Sequence, residues 1–136
     1  MRRRRYGSRH RRHDESGWVV RARVERFAEP ALLLLLAERP THGYELLERL
    51  PELLGRERVD VGNLYRFLRA LEEEGMVTSE WSADLPGPAK RTYALTADGR
   101  ALLDSWVEAL GELRGGLDDF MARTTARGGD DVRQQA

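Results

Sequence analysis

The sharpest apolar signal is Ala31 to Ala37, a run so uniformly hydrophobic that it predicts a helix buried all round. Pro30 suits its first position, and Arg39-Pro40 ends it, because the residue before a proline is pushed out of helical geometry. Thr41 then stands as an N-cap for a second helix with Tyr44, Leu46, Leu47 and Leu50 at helical spacing, interrupted at Pro51 and followed by a charged loop, Glu52 to Arg58. Asp60 can cap a third helix, Val61 to Glu74. Here Leu64, Phe67, Leu68 and Leu71 share one stripe, Asn63, Arg66 and Arg69 occupy the opposite one, and Gly75 supplies the stop. Met76 to Trp81 and Arg91 to Leu95 alternate as strands, joined by the turn formers Ala83 to Ala89, which predicts a hairpin with a stiffened tip. Thr96 caps a long last helix in which Leu103, Trp106, Leu110, Leu113, Leu117 and Phe120 recur every three or four residues, a seam that requires a partner. Gly115-Gly116 weaken that helix near its end.

The two ends carry little of this patterning. Residues 1–17 lack the apolar content to order themselves and are expected to form a disordered, arginine-rich arm, after which Trp18 to Phe27 could form a short helix packed on something else. The order of helices, wing hairpin and final helix is that of a winged helix-turn-helix, mainly α with a small β-hairpin wing. The expected partition is the arm 1–17, the winged domain 18–95, a dimerisation helix 96–123 and a disordered tail 124–136.

Composition narrows the function. An apolar content of 40% in 136 residues suits one core, and the lack of cysteine excludes disulfides and thiolate metal sites. With no apolar run long enough to span a bilayer and no signal-peptide core, a cytoplasmic protein without membrane contact is expected. No Ser-His-Asp spacing or glycine-rich phosphate loop supports catalysis, and His42, His10 and His13 show no metal-ligand spacing, so neither an enzyme nor a cofactor is expected. Glu72 to Glu74 read as a solvated helix end. Formal charge sums to zero, but seven of the 23 basic residues lie between Arg2 and Arg12, leaving 16 against 23 acidic residues elsewhere. Any nucleic-acid face on the body must therefore be a local basic patch.

In this fold the third helix enters the major groove, and its N-terminal part offers Gly62, Asn63, Tyr65, Arg66 and Arg69. Arg66 and Arg69 are either ordinary solvated arginines or DNA contacts, and Lys90 and Arg91 either discourage edge pairing of the wing or grip DNA. The arm is either a solvated tail or a source of non-specific DNA affinity. Because the body is net acidic, the rival reading is a winged-helix protein-interaction module.

The residues themselves resemble the PadR-like family of transcriptional regulators. Its His-Gly-Tyr-Glu motif appears as His42-Gly43-Tyr44-Glu45. Its recognition helix is similar to Asp60-Val61-Gly62-Asn63-Leu64-Tyr65-Arg66-Phe67-Leu68, and its wing to Gly87-Pro88, Lys90-Arg91, Tyr93, Leu95-Thr96 and Gly99. The resemblance covers about Glu29 to Leu113 and implies the short class with a single C-terminal helix. It further implies a homodimer that binds a palindromic operator in double-stranded DNA, represses transcription and responds to a small effector. It puts Tyr44, Gly62, Asn63, Tyr65, Lys90 and Arg91 at the DNA. Dimerisation would use Leu103, Trp106, Leu110, Leu113, Leu117 and Phe120. Trp106 is either dimer core or, with Leu103, Val107 and Leu110, the lining of an effector site. Two positions depart from the family pattern: Asp60 replaces a serine, acting as the helix cap or as an acceptor for a cytosine amine, and Arg66 replaces a proline, which should straighten the helix and add a candidate guanine contact.

Overall fold

The apolar run becomes the centre of the molecule. In the computed structural model, which describes residues 11–135 except 21, 23, 25, 56–59 and 83–89, helix α1 spans Ala28–Glu38. Leu32, Leu33, Leu35 and Leu36 of α1 are buried. The helix starts two residues earlier than expected, so Pro30 is its third residue; it is tolerated because amides of the first turn have no intrahelical acceptor. Around α1 pack α2, Gly43–Leu53, through Leu46 and Leu50, and α3, Val61–Glu73, through Leu64, Leu68 and Leu71, with Val77 and Tyr93 closing the core.

Two details of α2 differ from expectation. Thr41 is not its cap: Thr41–His42 form a two-residue strand that pairs antiparallel with Thr92 and Tyr93, while the buried Thr41 hydroxyl donates to the Glu45 carboxylate. Pro51 lies inside the helix rather than ending it. In the last turn it removes only one amide donor, and Leu54 N–H still reaches Leu50 O at 3.0 Å.

Helix α3 ends in a Schellman motif, with Gly75 at φ +80°, Gly75 N–H on Glu72 O at 3.0 Å and Met76 N–H on Leu71 O at 2.8 Å. The wing strands Val77–Ser82 and Lys90–Leu95 follow in register, Ser79 opposite Tyr93 and Trp81 opposite Arg91, and Thr41–His42 adds the third strand on the far edge. The stiffened tip expected over Ala83 to Ala89 lies outside the described residues. Thr96 caps the last helix, α4 (Ala97–Gln135): its Oγ1 accepts from Gly99 N–H at 3.0 Å and reaches Gly75 O at 2.7 Å. A Cβ on Gly99 would overlap the Met76 carbonyl, so this close approach requires glycine.

Both ends carry more regular structure than their composition suggests. The arm expected over residues 1–17 gives way from Arg11 onward to an antiparallel hairpin, Arg11–Asp14 (β1) with Gly17–Val20 (β2), so Trp18 to Val20, expected to open a short helix, pair as a strand. Its turn is closed by Asp14, which accepts from the Ser16 amide at 2.8 Å and the Ser16 hydroxyl at 2.6 Å; these bonds hold the Asp14 carboxyl below its ordinary pKa. The remainder of the expected arm, residues 1–10, is outside the described residues. At the other end α4 continues past Arg123 into the segment expected to be a disordered tail. An apolar face is needed for a helix to pack, whereas its backbone ladder propagates one bond per residue without one.

Candidate nucleic-acid interface

The exposed side of α3 begins at its cap. The Asp60 carboxylate accepts from Gly62 N–H at 3.1 Å, so this acidic group is engaged in starting the helix. Arg66 folds back toward that same end, with Nη2 on Asn63 Oδ1 at 2.8 Å and Nε near Gly62 O at 3.5 Å. Its positive charge thus sits beside the helix N-terminus, whose Gly62 amide the Asp60 carboxylate already engages. Arg69, one turn further on, makes only a loose pair with Glu73 at 3.6 Å; both side chains are solvated, so the pair costs little to exchange for a phosphate.

Tyr65 links α3 to α2. It lies so close over Gly43 that a Cβ there would come 2.7 Å from the Tyr65 hydroxyl, which explains a glycine in the first position of α2. The next residue, Tyr44, stacks on His42 at 5.4 Å and 17°, and the Lys90 ammonium stands 4.8 Å from the Tyr44 ring centre and 3.4 Å from its hydroxyl. His42 Nδ1 lies 3.2 Å from the Thr92 hydroxyl, so the Thr41–His42 strand fixes Tyr44 against the start of the second wing strand. Tyr44 and Tyr65 remain 46% and 44% exposed although both are held in place. The result is one surface formed by Asn63, Tyr65, Arg66, Tyr44 and Lys90, polar and basic, with rigid aromatic rings between the cations.

Arg91 departs from this surface. Strand alternation turns it away from Lys90, and its guanidinium binds Glu72 at 3.2 Å and the Ser79 hydroxyl at 2.7 Å, beside the rings of Trp81 and Tyr93. Glu72 is therefore not the solvated helix-end carboxylate expected: it is half-buried and also accepts from Ser79 at 2.5 Å, tying the C-terminal half of α3 to both wing strands. This clamp depends on the strand register, and no sequence spacing announces it. Burial of Tyr93 beside it pushes that phenol's pKa up.

The α4 seam divides in two. Leu103 is buried, Leu110 is half-buried, and half-buried Trp106 donates from Nε1 to Glu29 Oε2 on α1 at 2.8 Å. These residues serve the chain's own packing first. Val107, Leu113, Leu117 and Phe120 are exposed. Among the described residues no group of His, Asp or Glu is arranged to hold a metal ion, and no helix is long and apolar enough to cross a membrane.

Comparison with known proteins identifies a family. Residues 32–105, more than half of the chain, match the transcriptional regulator PadR-like family. Over 99 residues the chain is 30% identical to a Mycobacterium tuberculosis protein named a probable transcriptional regulator; the match covers 71% of this chain and 52% of that protein, so the chain spans about half of that relative's length. Among solved structures it is similar to a PadR-like transcription factor from Bacteroides fragilis (27% identity, 68% of this chain and 88% of that one, TM-score 0.60). It is also similar to Bacillus subtilis PadR in complex with operator DNA (27% identity, 62% of this chain and 48% of that one, TM-score 0.54). The protein belongs to the PadR-like family of transcriptional regulators.

Proposed function

We propose that the protein represses transcription by binding a palindromic operator as a homodimer, with α3 in the major groove and Lys90 and the wing on the adjacent backbone. The observation that carries this reading is the single surface on which Tyr65 packed over Gly43, and Lys90 set over Tyr44, join the start of α3 to the wing. Rigid rings position the surface, and the cations of Arg66 and Lys90 complement phosphate and base-edge acceptors. The Bacillus subtilis relative crystallised with operator DNA supports the same reading. A two-fold dimer through the exposed apolar part of α4 would present two such surfaces, which is why the operator should be palindromic. A small effector acting at this seam would meet Val107 and Leu110 first, since Leu103 is buried and Trp106 is engaged by Glu29.

The test is selection of bound sequences from a random duplex pool by the full chain and by Arg66→Ala. The expected result is an enriched palindrome with half-sites about one helical turn, roughly 10 base pairs, apart. Arg66→Ala should cost about 1–3 kcal/mol on that site and blur one base position. No enrichment at low or moderate salt would overturn the reading in favour of a winged-helix protein-interaction module. Equal loss on specific and random DNA would make Arg66 a phosphate contact.

A further inference from the structure

The β1–β2 hairpin belongs to neither the core nor the surface just described, and it precedes the residues that match the family. Its register places Arg11 opposite Val20 and His13 opposite Trp18, so strand alternation gathers these side chains on one face. The Arg11 guanidinium lies 5.6 Å from the Trp18 ring centre, and His13 meets the same ring edge-on at 5.1 Å. Trp18 and Val20 are nonetheless 67% exposed. A two-stranded hairpin is marginal by itself, and Trp18 with Val20 leaves adjoining apolar surface uncovered on this face.

We infer that this hairpin is a second DNA-contacting element, which grips the backbone of the duplex outside the half-site taken by α3; the inference rests on the DNA-binding reading of the body. Charge selects the occupant. Arg11 and Arg12 end a stretch holding seven arginines, while the rest of the chain has 16 basic residues against 23 acidic. In the sequence, the cations that could release counterions from a polyanion are therefore concentrated at the N-terminal end, where Arg11 and Arg12 belong to β1, rather than on the body. Position agrees with this. Ala22, Val24 and Arg26, which lead from the hairpin to α1, border the same cleft as Leu53, Leu54 and Gly55, where the chain leaves α2 toward Asp60 and the start of α3. From Val20 to Ala28 the backbone can extend up to roughly 27 Å, less than one turn of duplex. The carboxylates of the hairpin, Asp14 and Glu15, lie at its turn, where Asp14 accepts from Ser16, so Arg11 and Arg12 stand toward the opposite end, the one assigned here to phosphate.

The test uses the full chain and its selected operator duplex, with short flanks and with flanks lengthened by one helical turn, titrated between 50 and 200 mM salt. The wild type should bind the longer duplex more tightly and with a steeper salt dependence. R11A/R12A removes two phosphate contacts per protomer, four per dimer, so the slope of log affinity against log salt should fall by about 3.6, and the affinity lost across that salt range should shrink about 150-fold. R11K/R12K keeps the charge and should keep the slope. W18A should weaken binding to the long duplex at every salt concentration without changing the slope, and none of these variants should alter the selected half-site. Identical slopes and affinities on both duplexes, for wild type and variants alike, would overturn the inference while leaving the function of α3 intact. Loss of self-association in W18A with unchanged DNA binding would overturn it in favour of a protein partner. A wild-type chain that binds no duplex would remove both readings together.

Discussion

Helices α3 and α4 carry the same kind of apolar stripe, yet only in one of them does every member pack against the chain's own core. In α3, Leu64, Leu68 and Leu71 are at most 2% exposed, and half-buried Phe67 packs against the same core. In α4 the stripe begins the same way, with Leu103 buried and Trp106 bonded to Glu29, but Leu113, Leu117 and Phe120 are 44%, 53% and 62% exposed. Length explains the difference. Helix α1 has 11 residues and α4 has 39, so at 1.5 Å per residue α4 is about 58 Å long against about 16 Å for α1. Periodicity therefore tells that a face will be covered. Whether the cover comes from the same chain or from a second copy depends on how far the neighbouring element reaches.

Substitutions along the two stripes should separate those cases. Leu68→Ala leaves a cavity among Leu32, Leu46 and their neighbours, and should lower unfolding free energy by about 2–5 kcal/mol in denaturant titration, independently of protein concentration. A loss below about 1 kcal/mol would show that α3 is not anchored by this stripe. The next effect falls on assembly. Leu117 touches water in the single chain, so Leu117→Asp should change the chain's own stability by no more than about 0.5 kcal/mol. In a dimer seam the same carboxylate is buried without a partner, so sedimentation should show monomers, and the concentration dependence of Tm should vanish. A variant that still sediments as a dimer would move the interface elsewhere.

Most of the body was legible because its signals are local. The leucine period of α3, the Asp60 and Thr96 caps and the Gly75 stop each act within one turn of helix, and each stands where expected. What sequence reasoning missed depends on partners far along the chain. Thr41–His42 is too short to show a period and becomes a strand only because Thr92 and Tyr93 offer an edge. Lys90 meets Tyr44 across 46 positions, and Arg91 is drawn to Glu72 by the wing register, so two adjacent cations that look equivalent in sequence end on different surfaces. The N-terminal hairpin was hidden for another reason: its strands bury nothing, and their contacts are between an indole, a guanidinium and an imidazole rather than within an apolar face.

The smallest effect is expected at the start of α3, where Asp60 holds the cap with one oxygen and places a carboxylate on the surface proposed to meet DNA. Thr96 caps α4 with a neutral hydroxyl, so the two helices offer an internal control. Asp60→Ala should destabilise the chain by about 1 kcal/mol through the lost bond to Gly62 N–H, with a matching fall in Tm. Asp60→Ser keeps an acceptor at the cap and removes the charge, so stability should return nearly to that of the parent, while DNA affinity rises because phosphate no longer meets a carboxylate. If Asp60→Ser instead lowers affinity and relaxes one base position in the selected operator, the carboxylate reads a cytosine amine as well as capping the helix. Stability then reports the cap and base preference reports the reader, which makes the two roles separable in one residue.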